Sequence, residues 1–137
     1  MDAPPPHQPA GTSPASRGRV LLVEDDPEFA LFCTHVLAKG GRFDVTHIAD
    51  PTAALALAAA QPWDLVITDL DLPLMSGFEF AAVLRRMAPS LPVVIVTAYP
   101  QDAPILTSAD HGARPDALLA KPITVDLLLT TATALTA

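Results

Sequence analysis

The sequence predicts a single α/β domain of doubly wound (βα)5 type, in which five parallel strands form one central sheet with helices on both faces. Apolar runs of strand length alternate with segments of helical period, and each run stops at acids, glycine or proline. The run VVIV at 93–96 is apolar on both alternating faces, so helices must cover both sides of the sheet. A length of 137 residues leaves no room for a second domain.

The predicted strands are of two kinds. The first, third and fourth are continuous apolar runs, as the buried strands of a parallel sheet are. The second (FDVTHIA) alternates apolar and polar residues, and the fifth (ALLA) is short. The five strands are predicted in residues 20–24, 43–49, 65–69, 93–97 and 117–120.

Two helices are predicted to begin in the same way, with an aspartate N-cap followed by proline at the first helical position. The first follows Asp26 and ends at the glycine pair 40–41, and the second follows Asp50 and covers residues 51–61. Apolar residues at i, i+3, i+4 spacing predict the core face of the first helix, which consists of Phe29, Phe32, Cys33, Val36 and Leu37.

Three further helices complete the predicted fold. The third covers residues 78–87, a fourth lies within 102–111, and a fifth follows Pro122. The predicted inward residues are Phe80, Val83, Leu84 and Met87 in the third helix, and Val125, Leu128, Leu129 and Ala132 in the fifth.

The N-terminal segment is predicted to be a disordered tail over residues 1–17, which leaves residues 18–137 for the domain. Five of its first fourteen residues are proline, and the remainder are mostly small or polar. Such a composition cannot bury enough apolar surface to form a core.

Composition and charge exclude several classes of function. Eight basic residues against 15 acidic ones argue against a nucleic-acid-binding surface, because neutralising phosphates needs clustered Lys and Arg. The single cysteine, Cys33, can form neither an internal disulfide nor a cysteine-rich zinc site. No apolar run approaches the ~18 residues of a membrane-spanning helix. We therefore expect a soluble, cytoplasmic protein that binds neither nucleic acid nor membrane.

Polar residues gather where the predicted strands end. Glu24 and Asp25 follow the first strand, Asp69 ends the third, Thr97 ends the fourth, and Lys121 follows the fifth. In an open parallel sheet these ends meet at one edge, where the direction of the crossover connections reverses. The sequence therefore predicts a polar site of carboxylates, a hydroxyl and an ammonium group at that edge.

The chemistry of this site follows from its carboxylates. Clustered carboxylates repel one another unless a cation lies among them, and oxygen ligands on an open edge suit Mg²⁺ with several waters retained. With its charge partly neutralised by the metal and by Lys121, a free oxygen of Asp69 could attack phosphorus and form an aspartyl phosphate. Thr97 could then donate a hydrogen bond to the phosphoryl oxygens.

Four segments carry a family resemblance. In order they are VLLVEDDPEF, DLVITDLDLPLMSGFEF, PVVIVTAY and LLAKPI, and the second contains the pattern D-x-x-x-P-x-M-x-G formed by Asp69, Pro73, Met75 and Gly77. Together they resemble the receiver domain of two-component response regulators over about residues 19–137. The resemblance implies a flavodoxin-like fold and a stand-alone receiver domain.

The resemblance also implies a role for each site residue. Asp69 is the phosphoacceptor, and Mg²⁺ is bound by Asp25, Asp69 and the backbone carbonyl of Asp71, with Glu24 acting through a metal-bound water. Thr97 is the switch hydroxyl.

Lys121 is expected to pair with the phosphoryl group, and its peptide bond to Pro122 is cis in many relatives. The implied partners are a sensor histidine kinase or a histidine phosphotransfer protein, and an unknown downstream target protein. The implied activity is limited to the domain's own phosphorylation and dephosphorylation, so we do not expect an enzyme.

Two departures from the family concern signalling. Leu118 stands where relatives usually have a Tyr or Phe whose ring moves inward on phosphorylation, and the segment 112–121 is about two residues longer than the common form. Tyr99, two residues after Thr97, is a candidate to replace the ring or to contact a partner.

Two alternatives stay open at this point. Asp69-Leu70-Asp71 also resembles the D-x-D motif of haloacid-dehalogenase-type phosphatases, although there the motif follows the first strand of the core. The second alternative is a receiver-like scaffold that is never phosphorylated. It stays open because Leu118 replaces the aromatic residue that usually responds to phosphorylation.

Overall fold

The computed structural model describes residues 16–100 and 114–137, and these form one five-stranded parallel sheet with four α-helices. The predicted helix in 102–111 and nearly all of the predicted tail lie outside the described residues. The strands are β1 (Gly18–Val23), β2 (Phe43–Ile48), β3 (Leu65–Asp69), β4 (Val93–Thr97) and β5 (Ala117–Ala120). The helices are α1 (Pro27–His35), α2 (Pro51–Ala60), α3 (Gly77–Met87) and α4 (Val125–Leu135).

The strand order is β2-β1-β3-β4-β5, and every neighbouring pair is parallel. The chain winds outward from β1 to β2, crosses back to β3, and then winds in the other direction. This order confirms the predicted doubly wound fold. It also puts the ends of β1 and β3 side by side at the point where the winding reverses, which is where such sheets bind ligands.

Each strand contributes to two cores because its successive side chains point to opposite faces of the sheet. In β1, Val20 and Leu22 pack in the core beneath α1 and α4, whereas Leu21 and Val23 pack in the core beneath α2 and α3. Cys33 lies in the first of these cores, where burial and the nearby Glu24 charge raise the pKa of its thiol to about 12. The thiol is thus a packing group, as its position on the helix predicts.

Several predicted boundaries and orientations differ from the structure. β1 begins at Gly18 rather than at residue 20, because its first residues already pair with β2. The predicted first helix continues past α1 as a π-helical segment, Val36–Gly40. Met87 and Val125 were predicted to face inward but are 41% and 47% exposed. They are the last residue of α3 and the first of α4, and helix ends project beyond the sheet that the helix centre covers.

No helix among the residues that the structure describes is long and apolar enough to cross a bilayer.

Two aspartates make hydrogen bonds at the amino ends of the strands, opposite to the predicted site. Asp64 accepts the backbone N–H of Arg19 at 2.8 Å, and its own N–H donates to the Arg19 carbonyl at 2.9 Å. Asp116 exchanges the same pair of bonds with Val93, at 2.8 and 2.7 Å. Each aspartate thus satisfies backbone groups at the start of a neighbouring strand.

We expect Asp64→Ala to lower the free energy of unfolding by ~1–3 kcal/mol, because the backbone N–H of the buried Arg19 loses its acceptor. Asp116→Ala should cost a similar amount. Urea unfolding measures both, with the exposed Lys39→Ala as a control expected to stay within ~0.5 kcal/mol of the wild type. An Asp64→Ala protein as stable as this control would contradict the role given to the carboxylate.

Candidate functional site

Three carboxylates meet at the junction of β1 and β3. Glu24 directly follows β1 and is 1% exposed, Asp69 is the last residue of β3 and is 7% exposed, and Asp25 is exposed. Each offers one oxygen, and these three atoms lie within 4.8 Å of one another. Adjacent parallel strands end side by side here, so the topology brings together acids that are 44 residues apart in the chain.

Lys121 brings a positive charge to the same place from the end of β5. Its Nζ lies 3.3 Å from Oε1 of Glu24 and 3.5 Å from Oδ1 of Asp69. The ammonium group also lies 4.3 Å from the centre of the Phe29 ring on α1, a cation–π contact. The peptide bond between Lys121 and Pro122 is cis.

Burial and like charge shape the titration of these groups. Burial raises the pKa of Asp69, against the lowering effect of the Lys121 ammonium. The pKa of Glu24 is raised by burial and by the charge of Asp69. Burial alone would lower the pKa of Lys121, but Asp69 and Glu24 together raise it. One ammonium group therefore pairs with only two of the three carboxylates, and a further cation among the three would relieve their repulsion.

The three acids differ in how many oxygens they have free. In Glu24, Oε2 accepts the backbone N–H of Asp26 at 3.0 Å and Oε1 accepts from Lys121, so both oxygens are engaged. Asp69 has its ion pair with Lys121 through Oδ1. Asp25 and the second oxygen of Asp69 are thus the better direct ligands for a hard cation, and Glu24 suits contact through water.

Asp71 lies just beyond β3 and is exposed. Its carboxylate is not one of the three that converge, but its charge contributes to the raised pKa of Asp69. The role predicted for Asp71 belongs to its backbone carbonyl and stays a prediction.

Thr97 ends β4 and is fully buried. Its Oγ1 accepts the backbone N–H of Tyr99 at 2.9 Å, while the Tyr99 side chain is 57% exposed. Leu118 on β5 pairs with Ile95 of β4 and is 37% exposed. The hydroxyl is therefore tied to the first residues of the loop that leaves β4.

The loop after Asp69 explains the glycine of the sequence pattern. Gly77 begins α3, and its N–H donates to the carbonyl of Leu70 at 2.8 Å. A Cβ at this position would lie 2.5 Å from the Asp69 carbonyl oxygen and 2.9 Å from Cα of Leu70. Only glycine allows α3 to begin so close to the backbone of the phosphoacceptor candidate.

Sequence reasoning missed two contacts of this site. The sequence places Phe29 on the core face of the first helix, and its ring also lies beneath the Lys121 ammonium. No motif of the sequence includes His47, which is exposed and whose Nε2 lies 2.7 Å from the Glu24 carbonyl oxygen. The register of β1 with β2, which the apolar pattern alone does not specify, is what brings His47 there.

Comparisons with known proteins agree on one family. The profile of the response regulator receiver domain matches residues 20–133. CpdR, a response regulator receiver protein of Brucella abortus (strain 2308), is 32% identical over 105 residues, which are 76% of this chain and 84% of CpdR. A response regulator receiver protein of Anaeromyxobacter sp. (strain Fw109-5) is 33% identical over 81% of this chain. The chain spans 45% of the length of that relative and 42% of two others.

A solved structure agrees with the sequence matches. The receiver domain of the sensor histidine kinase PA1611 from Pseudomonas aeruginosa PAO1, crystallised with a magnesium ion in its active site cleft, is 25% identical with a TM-score of 0.78. The alignment covers 87% of this chain and 97% of that one.

We expect Gly77→Ala to lower the free energy of unfolding by ~1–3 kcal/mol, because the new methyl group overlaps rigid backbone. Gly40→Ala is the matched control: its Cβ would lie 2.9 Å from a terminal methyl of Leu129, which can rotate away. Chemical unfolding of both variants measures the difference. Equal stability of the two variants would show that the contact at Gly77 is not what requires glycine.

Proposed function

The chain belongs to the response regulator receiver domain family of two-component signal transduction, and on that basis we propose that Asp69 accepts a phosphoryl group. The donor is a sensor histidine kinase or a histidine phosphotransfer protein, and the output is protein–protein contact. The observation that carries the proposal is the position of the Lys121 ammonium, which lies within 3.5 Å of both Glu24 and Asp69, while an oxygen of Asp25 lies within 4.8 Å of the oxygens of these two acids.

Mg²⁺ fits this site by the chemistry of its donors. Asp25 and Asp69 offer carboxylate oxygens at an open edge of the sheet, the carbonyl of Asp71 is the proposed third ligand, and Glu24 acts through water. When bound, the ion supplies positive charge to the carboxylates and to the phosphoryl oxygens.

The transfer itself uses a lone pair of the Asp69 carboxylate. One Asp69 oxygen attacks phosphorus, the new P–O bond forms as the P–N bond to the donor's imidazole breaks, and the imidazole nitrogen keeps that electron pair and takes up a proton. Lys121 stabilises the charge on the phosphoryl oxygens, since its ammonium already lies 3.5 Å from Asp69. Hydrolysis restores the free carboxylate: a water oxygen attacks phosphorus, its P–O bond to Asp69 breaks, and inorganic phosphate leaves while a proton of the water passes to solvent.

The proposed response begins at Thr97. Its hydroxyl donates to a phosphoryl oxygen, and this reorients the loop whose first hydrogen bond runs from Tyr99 N–H to Thr97 Oγ1. Leu118 has no ring to move and no hydroxyl to expose. We therefore assign the change of surface to the segment after Thr97, with Tyr99 as its reporter.

The structure argues against one of the two alternative functions, the phosphatase. The phosphatase interpretation rests on Asp69 and Asp71, but Asp69 is the last residue of β3, the third strand of a matched receiver domain, and not the end of the first strand. A receiver domain is not an enzyme in the usual sense, because the transferred group ends on its own side chain. The other alternative, a scaffold that is never phosphorylated, is tested by phosphorylation with acetyl phosphate.

The metal site predicts stabilisation by Mg²⁺. With a dissociation constant of ~1 mM, ~10 mM Mg²⁺ that binds only the folded state raises the free energy of unfolding by ~1.4 kcal/mol. Asp25→Asn should lose most of this gain, while Asp126→Asn, at the exposed start of α4, should keep it. Thermal unfolding with and without Mg²⁺ measures the gain. An Asp25→Asn protein stabilised as much as the wild type would remove Asp25 from the ligand set.

Phosphorylation is tested with acetyl phosphate and Mg²⁺. We expect one phosphoryl group on Asp69, stable in acid and labile in base because hydroxide attacks acyl phosphates readily. Asp69→Asn should abolish the mass increase, and Asp71→Asn, which keeps its backbone carbonyl, should retain it. A phosphoryl group on Ser, Thr or His would contradict the nucleophile, and no phosphorylation of the wild type would favour the scaffold.

A further inference from the structure

His47 lies at the carboxyl end of β2, the edge strand next to the acidic site. Its Nε2 lies 2.7 Å from the backbone carbonyl oxygen of Glu24. Because a carbonyl oxygen can only accept a hydrogen bond, the imidazole carries its proton on Nε2 and donates it. The contact joins the edge strand to the peptide unit between Glu24 and Asp25.

That peptide unit determines where Asp25 points. Within residues 16–100 and 114–137, the Asp25 carboxylate has no hydrogen-bond or ion-pair partner, and its side chain is exposed. Glu24, in contrast, is held through its side chain by Asp26 and Lys121. The orientation of the Asp25 side chain before a cation binds therefore depends on its backbone.

β2 holds this backbone at two points. The N–H of Glu24 donates to the Ile48 carbonyl at 3.1 Å, which continues the register that pairs Val23 with Ile48. Two residues further on, Asp50 is already the N-cap of α2. The carbonyl of Glu24 takes its hydrogen bond from the side chain of His47.

We propose that His47 is a positioning residue for the metal site, and that its Nε2–H holds the Glu24–Asp25 peptide so that Asp25 faces Asp69 before the cation arrives. This inference rests on the proposed function, since it concerns the ion that Asp25 and Asp69 bind there. Without the hydrogen bond, cation binding must also order the peptide, and affinity falls. The role concerns affinity for the ion and leaves Asp69 as the nucleophile.

The test is a Mg²⁺ titration of the full chain, followed by backbone amide chemical shifts at the site. Loss of one hydrogen bond predicts a dissociation constant about three- to tenfold larger in His47→Ala. His47→Gln keeps an N–H at about the reach of Nε2 and should restore affinity. His47→Asn carries the same group on a chain one methylene shorter and should behave like the Ala variant. His35→Ala, an exposed histidine on α1, is the matched control and should bind as the wild type does.

Two further readouts separate positioning from general damage. The carbonyl carbon shift of Glu24, recorded without metal, should move in His47→Ala and His47→Asn but stay near its wild-type value in His47→Gln. Thermal unfolding in EDTA reports whether each variant is folded. If His47→Ala is unstable, the Gln and Asn pair decides the matter, since both keep a polar side chain of similar chemistry.

The outcomes distinguish the two levels of the proposal. Equal Mg²⁺ affinity in the wild type and His47→Ala, or an equal loss in all three His47 variants, overturns the role of His47 and leaves the metal site standing. Absence of Mg²⁺ binding by the wild type overturns the proposed metal site and the role of His47 with it.

Discussion

The burial of two carboxylates, Glu24 and Asp69, around one ammonium group is the constraint on which the rest of this structure depends. Removing charged groups from water is costly unless a partner offsets the loss, and Lys121 is shared between the two acids. The raised pKa of each acid reflects that incomplete offset. A cation among these carboxylates, and the phosphoryl group that we propose follows it, would both interact with charges already in place.

The parallel topology makes such a site possible without long loops. β1 and β3 end side by side, so Glu24, Asp25 and Asp69 converge although each comes from a short segment at a strand end. The backbone also limits which residue can begin the helix after Asp69. Gly77 is needed there because α3 begins in contact with the backbone carbonyl of Asp69. The strand order that defines the fold is thus also what brings the residues of the site together.

The sequence could predict the strands, most helices and the convergence of Glu24, Asp25, Asp69 and Lys121, because each depends on local pattern. Apolar runs mark β3 and β4 to the residue, and acids at strand ends mark the site. Contacts that depend on strand register or on the length of a side chain cannot be predicted from local sequence pattern. His47 lies near the end of an alternating strand, on the same face as Phe43 and Val45, and only the pairing of β2 with β1 shows its contact with Glu24.

Arg19 illustrates the same limit at the opposite edge of the sheet. An arginine at a strand start is expected to be exposed, yet it is 7% exposed because its guanidinium donates to the Pro62 carbonyl at 2.7 Å and lies 4.4 Å from the Trp63 ring centre. A planar cation can be buried when it finds both an acceptor and an aromatic face. Lys121 is held at the site by a similar combination, with two carboxylates and the Phe29 ring. Within residues 16–100 and 114–137, an aromatic ring thus stabilises a cation at each end of the strands. Two carboxylates form ion pairs with Lys121, and this is the end where we place the proposed chemistry.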